Sequence, residues 1–327
     1  MKPKVSIVVP VYNVADYLPE ALDSLINQTL KDIEIICIDD CSTDNSLSIL
    51  KEYAHKDKRI KVIEQHENRG EVVAKYTGAL CASADYIGTL DPDDYLAPNF
   101  YEIMYNKAIS DNYDVVVCNI YKIDEEGNAI NSILSPYRKS DGKEIVNNID
   151  MLWYANPATI NKIIKKDLII SALNFTERDC WKDAYQYWRC YTTRKVHGIF
   201  IDENLYFYRI RHDSITHTET TSEFEYVTFL KTVDLIIKFL VENGSYNTYE
   251  DILNKYISRN VKYYKCLNEL YKEKDFKKIM LKHNIRPFKL NYQKYTIIDH
   301  IFSIKNSYDK KHKIIKFFGL KISFRLK

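Results

Sequence analysis

Through its first 120 or so residues this chain alternates two patterns, and that alternation limits the folds open to it. Short runs rich in Ile and Val occur at Val5–Val9, Glu34–Ile38, Ile60–Ile63, Tyr86–Leu90 and Asp114–Cys118. They are apolar on successive residues, which predicts strands buried on both faces. Helix-period patterns fall between them, near Asp16–Asn27, Asp44–His55, Gly70–Ser83 and Pro98–Ser110. Pro19 and Pro98 suit first helical turns, and Ser42 and Thr43 are candidate caps before Asp44. The pattern predicts an α/β fold, a Rossmann-like, mostly parallel sheet flanked by helices. Ligands of such sheets bind beyond the carboxyl ends of the strands.

From about Asn119 to His217 the pattern is irregular, with a polar turn at Asp124–Asn128. Helical period returns from Ser222, with Phe229, Val233, Ile236, Ile237 and Leu240 on one face. These shifts predict one domain over residues 1–217, with halves 1–118 and 119–217, and a helical, basic C-terminal region over 218–327. The formal net charge is only +2, yet the segment from Lys272 to Lys327 holds 16 Lys/Arg against 4 Asp/Glu. That segment carries +12 and leaves −10 on the body. Near its end Ile314, Ile315, Phe317, Phe318, Leu320 and Ile322 are interleaved with lysines. The combination predicts contact with an anionic membrane surface, though it also suits a solvated helical face or packing on the protein itself. No nucleic-acid recognition motif accompanies it. No apolar stretch reaches the ~20 residues of a membrane span, and the N-terminal run is too short for a signal peptide. The seven cysteines form no C-x-x-C pair, which removes the spacing a zinc or dithiol site needs and favours reduced thiols in the cytoplasm. The expected location is the cytoplasmic face of a cell membrane, held peripherally.

Acidic residues gather where the strands end. Asp39 and Asp40 close the second, and Asp91, Asp93 and Asp94 close the fourth in TLDPDDYL. Carboxylates at neighbouring strand ends converge on one crevice and repel, so a divalent cation, Mn²⁺ or Mg²⁺, is the expected partner. A D-x-D pair holding such an ion suits a diphosphate, because the ion offsets charge on a departing nucleoside diphosphate. By itself DPDD also suits a surface turn. No G-x-G-x-x-G follows the first strand, which excludes a dinucleotide-dependent dehydrogenase. A sugar nucleotidyltransferase is disfavoured likewise, since PVYNVADY has no Gly-rich loop.

The segments VSIVVPVYNVADYLPEALDSLINQTLKDIEIICIDDCSTDNS and ENRGEVVAKYTGALCASADYIGTLDPDDYL resemble, in order and spacing, family two of the glycosyltransferases. Those are inverting enzymes with a GT-A fold, and the resemblance is to bacterial members that build lipopolysaccharide, lipooligosaccharide or capsule. It covers residues 1–110 strongly and 110–217 more loosely. It implies a nucleotide-diphospho-sugar donor, a UDP-sugar, whose hexosyl or N-acetylhexosaminyl group passes to a hydroxyl of a glycan or glycolipid. Carried onto this sequence, Pro10, Tyr12 and Asn13 line the nucleotide pocket, and Asp40 accepts the uracil N3–H. Asn68, Gly70 and Lys75 match an N-x-G…R segment, with Lys75 in place of Arg. Asp91 and Asp93 match the D-x-D motif and Asp94 extends it, with Asp93 or Asp94 on the metal. In RDCWKDAYQYW, Asp183 takes the place of the general base, Lys182 stands where Glu is usual, and Asp179 is the rival. In LYFYRIRHDSITH, Arg209 and Arg211 meet the diphosphate and His212 completes the metal shell. Lys162 falls in a short Lys-containing strand near the acceptor. Cys41 replaces a usual Gly after the aspartate pair. The Lys182 replacement also leaves room for a sugar-nucleotide-binding scaffold without transferase activity.

Overall fold

The computed structural model describes residues 2–133, 144–145, 148, 151–152, 157–173, 180–211 and 223–263, and three strands near the C-terminus. The first half follows the alternation. It runs β1 (Val5–Val11), α1 (Leu18–Ile26), β2 (Ile33–Asp39), α2 (Ser46–Lys56), β3 (Ile60–Glu64), α3 (Glu71–Cys81) and β4 (Tyr86–Thr89). A short β5 (Tyr95–Leu96), α4 (Phe100–Ser110) and β6 (Val115–Ile123) follow. The irregular stretch then supplies β7 (Ala129–Ile133), β8 (Glu144–Ile145), β9 (Lys162–Lys165), α5 (Lys166–Leu173), α6 (Lys182–Thr192) and the long β10 (Gly198–Arg209).

One sheet joins both halves in the order β3-β2-β1-β4-β9-β6-β10-β5, with β7 on β6 and β8 on β10. Strands β3, β2, β1 and β4 are parallel, as are β6 and β10, while β9 runs antiparallel between β4 and β6. All seven residues of β1 and of β2 are buried, which explains their unbroken apolar runs. Successive side chains face opposite layers. Ile7, Val9, Ile35 and Cys37 pack with Leu22, Leu50 and Met104 of α1, α2 and α4. Val8, Ile36 and Ile38 pack with Val72 and Ala79 of α3 and with the cluster around Trp188. Gly78 lies so close to Val8 that a Cβ there would collide with its side chain. This contact seats α3 on β1 and aims its N-terminus at the carboxyl ends of the strands.

The caps differ from expectation. Helix α2 starts at Ser46, whose N–H donates to Asp44 Oδ1 at 2.9 Å. Ser42 Oγ instead accepts from Asn13 N–H (3.2 Å), and Thr43 N–H donates to Asn13 Oδ1 (2.8 Å). These residues tie the β1–α1 and β2–α2 loops together. Cys41 keeps the left-handed conformation suited to the glycine it replaces, at φ 64°.

Beyond the sheet, α7 (Glu223–Glu242) and α8 (Tyr246–Tyr263) give the expected helices, with Phe229, Val233, Ile236 and Leu240 buried against α6. The helical expectation does not extend through the basic end. Phe302–Asn306 (β11), His312–Phe317 (β12) and Leu320–Arg325 (β13) form a three-stranded antiparallel sheet. Lysine alternating with apolar residues has a period near two, which fits strand and not helix. No helix among the described residues is long and apolar enough to cross a membrane.

Candidate active site

A cleft of about 750 Å³ opens at the carboxyl ends of β1, β2 and β4. It gathers most of the residues singled out from sequence: Pro10, Tyr12, Asn13, Asp40, Asn68, Gly70, Asp91, Asp93, Asp183 and Arg211 all line it. The parallel register sets Val11 beside Asp39, and Asp40 N–H donates to the Val11 carbonyl at 2.8 Å. Asp40 Oδ1 accepts from Gln65 Nε2 and from Arg69 N–H, both at 2.8 Å, and Oδ2 accepts from Gly70 N–H at 2.7 Å. Gly70 itself has φ 89°, which only glycine adopts without strain. Asp40 therefore shapes the loop that carries Asn68, and it keeps about one of its four lone-pair directions for a ligand.

The DPDD turn is pinned from behind. The Tyr206 hydroxyl donates to Asp94 Oδ2 (2.6 Å) and accepts from Asp91 N–H (3.4 Å), while Arg209 N–H donates to Asp94 Oδ1 (2.8 Å). Asp94 is 2% exposed and does not line the cleft, which corrects its expected place on the metal. Arg209, expected on the diphosphate, is 3% exposed. Its guanidinium holds the Asp93 carbonyl (3.0 Å), the Asp124 and Glu125 carbonyls and the Glu20 carboxylate, so it buttresses the turn. Lys75 is a buttress too. It lies 2% exposed below the cleft and pairs with Glu71 and with Asp91 (3.2 Å), out of reach of a base or phosphate. A lysine on a flexible stem can make this buried contact where a forked arginine would need more room. His212 and Asp179 lie outside the described residues.

Among the described residues the lining of the cleft is mostly acidic, with Arg211 as a cation in it. Asp93 Oδ2 is 2.9 Å from Arg211 Nη1, and the Arg211 guanidinium lies 4.8 Å over the Tyr17 ring. Asp183, exposed to the cleft at the start of α6, accepts from Gln186 Nε2 at 2.8 Å. Burial, then the neighbouring Glu71, Asp93 and Asp183 charges, push the Asp91 carboxyl up to about 7 in spite of Lys75. Asp183 is raised as well, by desolvation from the cleft walls and by Glu71, against the pull of Lys75, Lys162 and Lys182. Burial works against the Lys75 charge, but Asp91, Glu71 and Asp183 outweigh it and hold the ammonium above the usual range. Perturbed acids crowded in one cleft mark a place where a charged ligand belongs.

Sequence reasoning missed several lining residues. Glu71 follows Gly70 directly at the N-terminus of α3, and its position there was the available signal. Ile120, Pro157, Ala158, Ile160 and Tyr208 form an apolar wall. They come from strands and a loop that the irregular pattern did not resolve.

The sheet order, the cleft at its carboxyl edge and the D-x-D turn are those of the GT-A class of fold. The family model "Glycosyl transferase family 2" matches residues 6–170, and the chain belongs to that family. GlyG of Streptococcus pneumoniae, a glycosyltransferase, is 34% identical over 228 residues, 67% of this chain and 75% of GlyG. GlyA of the same organism is 37% identical over 226 residues, which is 66% of this chain but only 32% of GlyA's length. Among solved structures, S. aureus TarS 1-349 in complex with UDP-GlcNAc superposes with a TM-score of 0.65 at 20% identity, covering 79% of this chain and 73% of that one. The mannosyltransferase PcManGT from Pyrobaculum calidifontis, in complex with GDP-Man and Mn²⁺, gives 0.52 at 15% identity over 90% of this chain and 88% of that one. These likenesses show the fold.

Proposed function

We propose that the cleft binds a nucleotide-diphospho-sugar, a UDP-sugar, and transfers its sugar with inversion to a hydroxyl of a bacterial surface glycan or glycolipid. The observation that carries this is the convergence of Asp40, Asp91, Asp93, Asp183 and Arg211 on one cleft. Two fold neighbours named above are complexes with nucleotide sugars, which supports a donor of that class. Pro10, Tyr12 and Asn13 would flank the nucleoside, and the Asp40 carboxylate would accept a uracil N3–H that cytosine lacks.

The residues fit a divalent cation. Asp91 Oδ1 is buried with no contact beyond the Lys75 ammonium at 3.2 Å, and Asp93 faces the cleft. Among the described residues no three ligating side chains enclose an ion, so Mn²⁺ or Mg²⁺ held here through Asp93, with Asp91 behind it, would take other oxygens from the diphosphate and water. When bound, the ion offsets the charge that builds on the leaving diphosphate. Arg211, beside Asp93, would share that charge.

The acceptor would enter along Ile120, Pro157, Ala158, Ile160 and Tyr208, an apolar and aromatic surface suited to a sugar ring. Asp183 would take the acceptor hydroxyl's proton as the oxygen forms its bond to the anomeric carbon. The bond to the phosphate oxygen breaks, and the electron pair leaves with the diphosphate. A raised Asp183 suits this task, because a base works best near ambient pH.

The basic end would hold the protein on an anionic membrane. Cross-strand register places Phe302, Phe317 and Leu320 in one column and Ile304, Ile315 and Ile322 in another, with Ser303, Lys316 and Lys321 between. Apolar residues alternating with lysine along these strands support this reading.

A melting panel tests the donor. UDP and UDP-sugars with Mn²⁺ should raise the melting temperature, because a ligand bound only by the native state stabilises it. Stabilisation by none of the nucleoside diphosphates would overturn the reading.

A further inference from the structure

The first turns of α6 hold an amide that the proposed reaction does not use. Gln186 lies three residues after Asp183 and so on the same side of the helix. Its Nε2 donates to Asp183 Oδ1 at 2.8 Å, and the residue is 1% exposed. The other end of this amide is buried, and its Oε1 has no hydrogen-bond partner; Thr159 Oγ1 is in the same condition. Both residues line a small cavity of about 10 Å³ between α6 and the segment 157–162. Pro157 and Ala158 line this cavity and the cleft alike, so the cavity backs onto the acceptor wall. Lys162 stiffens that wall, donating to the Ala158 and Ile160 carbonyls and to Asn161 Oδ1.

We propose that Gln186 is the positioning residue of the general base: it holds Asp183 Oδ1 and leaves Oδ2 as the atom that receives the acceptor's proton. The proposal rests on the reading of Asp183 as the base. An aspartate exposed to a cleft has two free side-chain torsions, and a reacting group misplaced by about 1 Å loses roughly 100-fold in rate. A donor on one oxygen removes that freedom. It also favours the charged carboxylate. That matters here because Glu71 on α3 and Asp91 and Asp93 of the β4–β5 turn oppose the charge, while Lys75, Lys162, Lys182 and Arg211 support it.

The test uses the full chain, UDP-GlcNAc with Mn²⁺, and release of UDP to water as the readout. Gln186→Met keeps the volume and removes the donor. Gln186→Leu removes both the donor and the acceptor at similar volume. Both should bind UDP as the parent does and lose about 10- to 100-fold in kcat. The acid limb of the pH profile should move upward in both, because the donor that favours the charged carboxylate is gone. Asp183→Asn is run beside them. If it is inactive while both Gln186 variants keep the parent rate and pH profile, the positioning role is refuted and the base stands. If Asp183→Asn keeps the parent rate, the base reading and the positioning role both fall.

Discussion

The two ends of the parallel strands carry buried carboxylates and treat them in opposite ways. At the amino ends, Glu34 of β2 accepts from Ser6 Oγ (2.5 Å), Ser83 N–H and Oγ (both 2.6 Å) and Lys61 Nζ (2.7 Å). Burial raises its carboxyl, but Lys61, Ser6 and Ser83 outweigh this and hold it at about 2. Asp114, just before β6, is likewise held low against burial by Arg194, the His197 N–H and Lys165. At the carboxyl ends Asp91 stands near 7 and Asp183 is raised. The amino edge satisfies its charges and stabilises the fold. The carboxyl edge leaves its charges under-compensated, which is tolerable where a cationic or phosphorylated ligand completes the site.

That contrast is broken or sharpened by substitution on each side. The largest effect should come from the carboxyl edge. Asp183→Asn should lower sugar transfer by about 10²–10⁴ while leaving UDP affinity nearly unchanged, as direct binding and single-turnover measurements would show. A similar loss of UDP affinity would mean that Asp183 belongs to the nucleotide site instead.

Next is the amino edge. Glu34→Ala strands two serines and a lysine, so it should cost about 1.5–3 kcal/mol in denaturant unfolding, the scale of hydrogen bonds to a charged group. Glu34 has a depressed folded pKa, so its stabilisation is present above its ordinary value of 4.5 and is lost as pH falls toward about 2. Across that window the variant's stability should fall less steeply than the parent's. A parallel fall in the two would place the acid-sensitive charge elsewhere.

The smallest effect concerns the turn after β2. Cys41→Gly relieves a left-handed residue, a gain of about 1–2 kcal/mol, against an entropy cost of about 0.5–1 kcal/mol for glycine. A net gain of about 0.5 kcal/mol should appear in melting, with UDP binding unchanged.

Much of the carboxyl edge was legible because parallel strands convert sequence order into spatial order. Residues just after β1, β2 and β4, such as Tyr12, Asp40 and Asp93, must meet at one edge whatever their side chains do. What a side chain does once there was less legible. Asp93 and Asp94 are neighbours in sequence, yet only the first faces the cleft, because Tyr206 and the Arg209 N–H from β10 hold the second. Lys75 and Arg209 carry the right charge and still serve as buttresses, since their depth depends on packing that no local pattern encodes. Strand β9 was legible only through the resemblance, which places Lys162 in a short strand. It is four residues long and inserted antiparallel between β4 and β6, a long-range pairing with no period to announce it.

The division of labour between the two edges is tested most directly by melting Asp93→Ala and Glu34→Ala side by side, each with and without UDP and Mn²⁺. Asp93→Ala should melt near the parent temperature alone and gain little or nothing from the ligands. Glu34→Ala should melt lower alone yet gain the parent's full increment, because its cleft is intact. An Asp93→Ala protein stabilised by UDP and Mn²⁺ as strongly as the parent would contradict a nucleotide and cation site at the carboxyl edge.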